Sequence, residues 1–233
     1  PYAPAALCAY LKKYHAGKTR PSLFSRELAN FASNRVIIEE IIRQKPVAVA
    51  FANYLWNAER HLVLAHELKK RNPRILILFG GPEVCDNSFL FAEKRDDVDY
   101  FIGGEGEWFF DRYFAGNLDS YKKEISGNAL YVQPQDELKK MDEIAEPYTA
   151  GELPASYDNS IFLEMTRGCF YRCSYCYYSK NNHTVREAGS ELLYNAVEKG
   201  NLSEIYILSP TFSRRKDCRE ILGRLKEINR GVS

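Results

Sequence analysis

Short apolar runs alternate with helical patterns along most of this chain, and the alternation predicts its architecture. Over 1–14, Leu7, Tyr10, Leu11 and Tyr14 share one helical face, Pro4 suits the first turn, and Gly17 stops the helix. Residues 22–28 read as a short strand. Residues 36–44 are apolar at helical spacing, with Ser33 or Asn34 as the cap. Residues 47–51 are wholly apolar, the pattern of a buried parallel strand. Asn57 is placed to cap a helix over 58–70, which Pro73 ends. A second buried strand over 75–79 runs into Gly80-Gly81-Pro82-Glu83. A third, Tyr100–Ile102, runs into Gly103-Gly104-Glu105-Gly106-Glu107, with a helix over 108–114 behind it. Strands that alternate with helices imply βαβ units and an open parallel sheet. Ligands of such sheets bind at the carboxyl ends of the strands, where Asn53, Tyr54, Gly80, Gly81, Gly103 and Gly104 fall.

The pattern then weakens. Residues 118–159 read as a connector: 129–132 suit a short strand, and 134–152 are charged and broken by Pro147 and Gly151, with Pro154 just beyond. Order returns with the apolar run at 161–163, a strand ending at the Arg167-Gly168 turn. A helix over 187–199 turns Leu192, Leu193 and Val197 inward. A strand over 205–208 follows, then Ser209-Pro210-Thr211-Phe212-Ser213-Arg214-Arg215, then a helix over Cys218–Ile228.

Three of the six cysteines crowd the loop after the first of these later strands: Cys169, Cys173 and Cys176, spaced C-x3-C-x2-C. Thiolates are preferred ligands of iron–sulfur clusters and zinc. Four cysteines saturate a cubane cluster, whereas three leave one iron open. A Cys3His zinc site with a fourth ligand such as His183 is the alternative, though structural zinc sites favour two separated pairs of ligands. A disulfide scaffold needs a denser cysteine pattern than six in 233 residues. Cys8, Cys85 and Cys218 are scattered and read as ordinary buried thiols.

The stretch Glu164-Met165-Thr166-Arg167-Gly168-Cys169, continuing through Cys173, Tyr175 and Cys176, resembles the radical SAM superfamily and its C-x3-C-x-aromatic-C motif. That resemblance implies a [4Fe–4S] cluster on Cys169, Cys173 and Cys176, with its open iron binding the amino and carboxylate groups of S-adenosylmethionine. One electron then cleaves the sulfonium to methionine and a 5′-deoxyadenosyl radical. Tyr175 and Gly168 take the adenine side, and the cofactors carry the hard chemistry. The loop at 209–215 corresponds to one that contacts S-adenosylmethionine. Many members have Gly-Gly-Glu there and this branch often has Asp-x-Thr-Phe, so Ser209 replaces the acidic residue, and Ser209 and Thr211 take the binding role. Arg214 and Arg215 read as solvent-facing.

A second resemblance covers 1–115. Tyr54-Leu55-Trp56-Asn57, Gly80-Gly81-Pro82-Glu83-Val84 and Gly104-Glu105-Gly106-Glu107 look like the cobalamin-binding-type domain that precedes the catalytic barrel in one large branch of radical SAM proteins. In that branch the glycine pair lets the backbone approach the nucleotide tail of the corrin. Any doubly wound fold also uses such glycines for tight turns. The Asp-x-His-x-x-Gly cobalt-ligand motif does not occur, and His61 and His66 read as solvated helix residues, so a bound corrin would have no protein histidine below the cobalt. The implied fold is α/β: a doubly wound, Rossmann-like domain over 1–117, a linker over 118–159, and over 160–233 the opening units of a partial (β/α) barrel. The chain starts without methionine and holds only about two βα units of that barrel, which reads as a piece of a longer protein.

Composition adds exclusions. Net charge is +1, which gives no bulk attraction to nucleic acid. No apolar run approaches the ~20 residues of a membrane helix, and no GxGxxG fingerprint points to NAD. The expected partners are a small-molecule or peptide substrate and a reducing electron donor. The expected compartment is the cytoplasm, where thiolates stay reduced. The competing reading is a non-catalytic cobalamin- or metal-binding module.

Overall fold

A computed structural model describes residues 2–85, 95–118, 122–124, 130–132, 140–144, 146–148, 150–154, 159–176, 178, 184–199 and 202–228. They form two compact units, Arg20–Leu138 and Pro1–Thr19 with Lys139–Ser233. Helix α1 (Tyr2–Tyr14) belongs to the second of these.

The unit Arg20–Leu138 begins with a departure from the sequence reading. The strand expected over 22–28 gives way to helix α2 (Arg26–Phe31), because the Ser25 hydroxyl accepts the Leu28 amide at 3.2 Å and so caps a helix. Ser33 caps α3 (Asn34–Gln44) in the same way. Strand β1 (Ala48–Ala52), α4 (Ala58–Arg71), β2 (Leu76–Gly80), the short α5 (Pro82–Cys85), β3 (Tyr100–Ile102) and α6 (Gly106–Ala115) follow. Strands β4 (Lys122–Glu124) and β5 (Leu130–Val132) then extend the sheet beyond residue 117, where the connector was expected to start. Strand order is β1-β2-β3-β5-β4; β1, β2, β3 and β5 run parallel and β4 antiparallel.

Side chains alternate across this sheet with period two, so β2 feeds two cores. Ile77 and Phe79 pack with Leu62, Ala65 and Leu68 of α4 on one face. Leu78 packs with Trp108 and Phe109 of α6 on the other. Helices therefore cover both faces of a mostly parallel sheet, the α/β arrangement expected. The buried strand expected over 47–51 is only half-buried: Val47 is 80% exposed, and among the described residues β1 is an edge strand that pairs on one side alone.

In the other unit, α1 buries Ala5, Cys8, Ala9 and Leu11. The Cys8 thiol donates to Glu152 Oε2 at 3.2 Å, and Lys12 pairs with the same carboxylate at 2.7 Å. Strand β6 (Ser160–Glu164) is followed by β7 (Thr166–Arg167), β8 (Arg186–Glu187), α7 (Glu191–Lys199), β9 (Glu204–Leu208) and α8 (Cys218–Ile228). β6 and β9 pair in parallel, Ile161 opposite Ile205 and Leu163 opposite Ile207, with α7 between them in sequence: one βαβ unit. Ile161, Leu163, Leu193, Val197 and Ile221 form its core. The helix expected from 187 begins only at Glu191, because Arg186 and Glu187 pair antiparallel with Thr166 and Arg167. Among the described residues no helix is long and apolar enough to cross a membrane.

Candidate functional site

The cysteine loop is closed at its base by the β7–β8 pair, which brings residues 168 and 185 together. Gly168 sits in that neck at φ +89°. A Cβ there would lie 2.1 Å from the Thr184 carbonyl oxygen, so the close approach of two backbones requires glycine. Its amide donates to the Tyr178 hydroxyl at 3.0 Å, a second closure that the sequence reading missed. Inside the loop the Cys176 amide donates to the Cys173 carbonyl at 3.0 Å, a turn that carries Tyr175 at its outer edge, 90% exposed. Cys169 is buried, Cys173 exposed and Cys176 half-buried, and all three are thiols. Arg214, exposed as expected, places its guanidinium 5.7 Å from the Phe170 ring, so the loop after β9 reaches the cysteine loop.

Arg215 departs from expectation. It is 6% exposed and holds buried carbonyl groups rather than solvent. Its partners lie 27 and 50 residues away in sequence, which is why local pattern missed it.

Ser209 follows the last residue of β9, and Thr166 opens β7 just after β6 ends. Both therefore lie at the carboxyl end of the parallel pair, where Glu164 is opposite Leu208. Among the described residues, the hydroxyls of Ser209 and Thr166 are buried without a hydrogen-bond partner. Unpartnered buried hydroxyls are costly and point to a polar ligand. Thr211 is also buried. A threonine in a strand is ordinary, so the sequence does not mark Thr166; its buried hydroxyl, unpaired among the described residues, does.

These features bear on whether the residues fit a cluster and S-adenosylmethionine. The donor set is right in kind: three thiols on one loop beside two orphaned hydroxyls. The thiols do not converge, and no three His, Cys, Asp or Glu side chains among the described residues come together as metal ligands. His183, the fourth ligand of the zinc alternative, lies outside the described residues. Cys8 is buried as expected, and burial with the Glu152 carboxylate beside it pushes its thiol up to about 12. Cys218 is half-buried rather than buried, and the side chain of Cys85 lies outside the described residues.

The other unit gathers the glycine turns at one end of its sheet. Gly80 ends β2 opposite Ala52, and Gly103 and Gly104 follow β3. Gly81 has φ +99°, and a Cβ on it would lie 2.6 Å from the Asn53 carbonyl oxygen. Gly80, by contrast, has room for one. Asn53, fully buried, donates its amide to Gly80 O at 2.7 Å and its side-chain amide to Phe51 O at 3.1 Å. Its Oδ1 meets His61 Nδ1 at 2.9 Å. His61 is therefore not the solvated residue expected; it packs 4.8 Å from the Phe51 ring, and burial with Arg60 nearby pushes its imidazole down to about 4. His66 is exposed and pairs with Asp97, as a surface histidine should. Asn57 does not cap α4 with its side chain but accepts the Tyr54 amide at 2.8 Å and so shapes the turn. In that turn the Tyr54 and Trp56 rings stack 4.8 Å apart at 8°, and Trp56 is 80% exposed.

No family model matches the chain. It is 27% identical over 204 residues to the cobalamin-dependent radical SAM methyltransferase TokK of Streptomyces tokunonensis, covering 78% of this chain and 30% of that protein. It is 25% identical over 209 residues to the 2-(S-pantetheinyl)-carbapenam-3-carboxylate methyltransferase of Streptantibioticus cattleyicolor, covering 81% of this chain and 30% of that protein. An uncharacterized protein of Methanocaldococcus jannaschii is 22% identical over 212 residues, with 80% of this chain and 42% of its own length covered. The chain thus spans less than a third of either methyltransferase. Over about four fifths of its length it is similar to two methyltransferases, one of them named as a cobalamin-dependent radical SAM enzyme, in agreement with the branch its cysteine and glycine motifs resemble.

Proposed function

We propose that this chain is the cofactor-binding front part of a cobalamin-dependent radical SAM methyltransferase. On this reading the Arg20–Leu138 unit is the doubly wound, cobalamin-binding-type part, its sheet running through β4 and β5 past the 117 boundary expected from sequence, and 160–233 is the start of a partial (β/α) barrel. The observation that carries the reading is the three-thiol loop at the carboxyl end of a parallel strand pair, closed at its base by Gly168 and by the β7–β8 pair. Cys169, Cys173 and Cys176 would hold a [4Fe–4S] cluster, which when bound supplies the electron that cleaves S-adenosylmethionine.

The chain's own residues orient and shield. Ser209 and Thr166 offer hydroxyls with unused donors and acceptors to the polar end of S-adenosylmethionine, beside the buried Thr211. Gly168 and Tyr175 border the loop on its adenine side. Tyr54, Gly80, Gly81 and Gly104 lie at the sheet end proposed for cobalamin, where the Tyr54–Trp56 stack adds a flat apolar surface. The methyl acceptor is a small molecule or peptide, the electron comes from a reducing electron donor, and the compartment is the reducing cytoplasm.

Anaerobic reconstitution with iron and sulfide tests the reading. Iron and sulfide should bind in the ratio of a [4Fe–4S] cluster, and Cys→Ala at 169, 173 or 176 should each abolish it. Tight uptake of zinc with refusal of iron would instead make the site structural.

A further inference from the structure

Met165 is where three segments meet. Its amide donates to the carbonyl of Leu208, the last residue of β9, at 3.1 Å. Its carbonyl accepts the Ala188 amide at 3.0 Å, just after β8. The same carbonyl accepts a second bond, from the Arg215 guanidinium at 3.2 Å. Arg215 also donates to Ala188 O at 3.0 Å, and the Asp217 carboxylate takes its Nε and a terminal nitrogen at 3.0 and 2.9 Å. The side chain is 3% exposed. A buried guanidinium is tolerated when its donors are used and its charge is paired; these bonds engage four of its five N–H donors, and Asp217 pairs the charge.

The placement of these partners gives the arginine a role beyond folding. Met165 lies four residues before Cys169, and Ala188 lies beyond the strand that closes the far side of the cysteine loop. Arg215 itself caps the short 3₁₀ helix Phe212–Arg214 that Thr211 opens, just after Ser209. We propose that Arg215 is a positioning residue for the cysteine loop: it fixes both ends of that loop and the Ser209–Thr211 turn in one frame. Its consequence for cofactor binding rests on the function proposed above. Lysine cannot substitute, because a single ammonium lacks the planar fork that reaches two carbonyls and a carboxylate together.

Residue-resolved alkylation of the metal-free chain, read by mass spectrometry, tests this. Cys169 is buried at the loop's start, and Cys8 is buried in the same unit against Glu152, with no bond to any Arg215 partner. In Arg215→Lys, Cys169 should react about tenfold faster while Cys8 is unchanged, the mark of a local opening. An unchanged Cys169, or equal rises at both, would overturn the proposal. Should Arg215→Lys fail to fold, Asp217→Asn keeps the guanidinium but loosens it; Cys169 should again accelerate over Cys8, and equal rates would overturn the proposal. After reconstitution, Arg215→Lys should keep its iron but need roughly tenfold more S-adenosylmethionine for the half-maximal spectral change, as a misplaced loop requires. Refusal of iron by the parent chain would strike the cluster reading alone, and the alkylation ratio would still decide the positioning role.

Discussion

The Gly168 amide and the Tyr178 hydroxyl lie 3.0 Å apart and close the stretch that carries all three clustered cysteines. This closure is cheap to remove. Tyr178→Phe leaves the Gly168 amide without that partner and should cost about 1 kcal/mol of local stability, the usual net value of one hydrogen bond. Global unfolding should move little, while the bound cluster should be lost faster to a chelator. Equal loss rates in parent and variant would show that the neck alone holds the loop.

Gly168→Ala tests the neck. The added Cβ meets the Thr184 carbonyl oxygen at 2.1 Å, and φ +89° is strained for alanine. The cost should be at least about 2 kcal/mol, since strain and backbone overlap add. Gly80→Ala, where the nearest atom is 3.9 Å away, is the control and should be nearly silent. Comparable thermal shifts in the two variants would contradict this.

Ser209→Ala should separate stability from binding. Its hydroxyl is buried and unpartnered, so removing it should leave the cofactor-free chain as stable or up to about 1 kcal/mol more so. Affinity for S-adenosylmethionine should fall several-fold in the same variant. A destabilised chain with unchanged affinity would mean that the hydroxyl serves the fold.

His61 should make the Arg20–Leu138 unit acid-sensitive. Its folded pKa is lowered from 6.5 to about 4, so the folded state favours the neutral ring. The stabilisation is complete above the unfolded value of about 6.5 and is lost as pH falls toward 4, a swing of roughly 3 kcal/mol. His61→Gln should flatten the fall in denaturant midpoint between those limits. Parallel pH profiles for parent and variant would remove His61 as the cause.

What the sequence reveals here is what short-range pattern encodes. Tyr100–Ile102 and Cys218–Ile228 appear where periodicity puts them, because an apolar strand run and an amphipathic helix are local signals. Residues 22–28 mislead because a serine cap outweighs a weak alternation. The start of α7 is displaced by a two-residue strand whose partner is twenty residues upstream. The same limit governs the site. Three cysteines on one loop, and the glycine turns, are visible in the sequence. The burial of Arg215 depends on carbonyls 27 and 50 residues away, the Asn53–His61 pair on the turn that joins β1 to α4, and the burial of the Thr166 hydroxyl on packing, and no spacing announces them.

Electron paramagnetic resonance of the reduced, anaerobically reconstituted chain, recorded with and without S-adenosylmethionine, tests the central claim most directly. Three thiolates and one open iron predict a cluster signal that shifts when the cofactor is added. A signal indifferent to S-adenosylmethionine, or a chain that refuses iron and binds one zinc tightly, would contradict it.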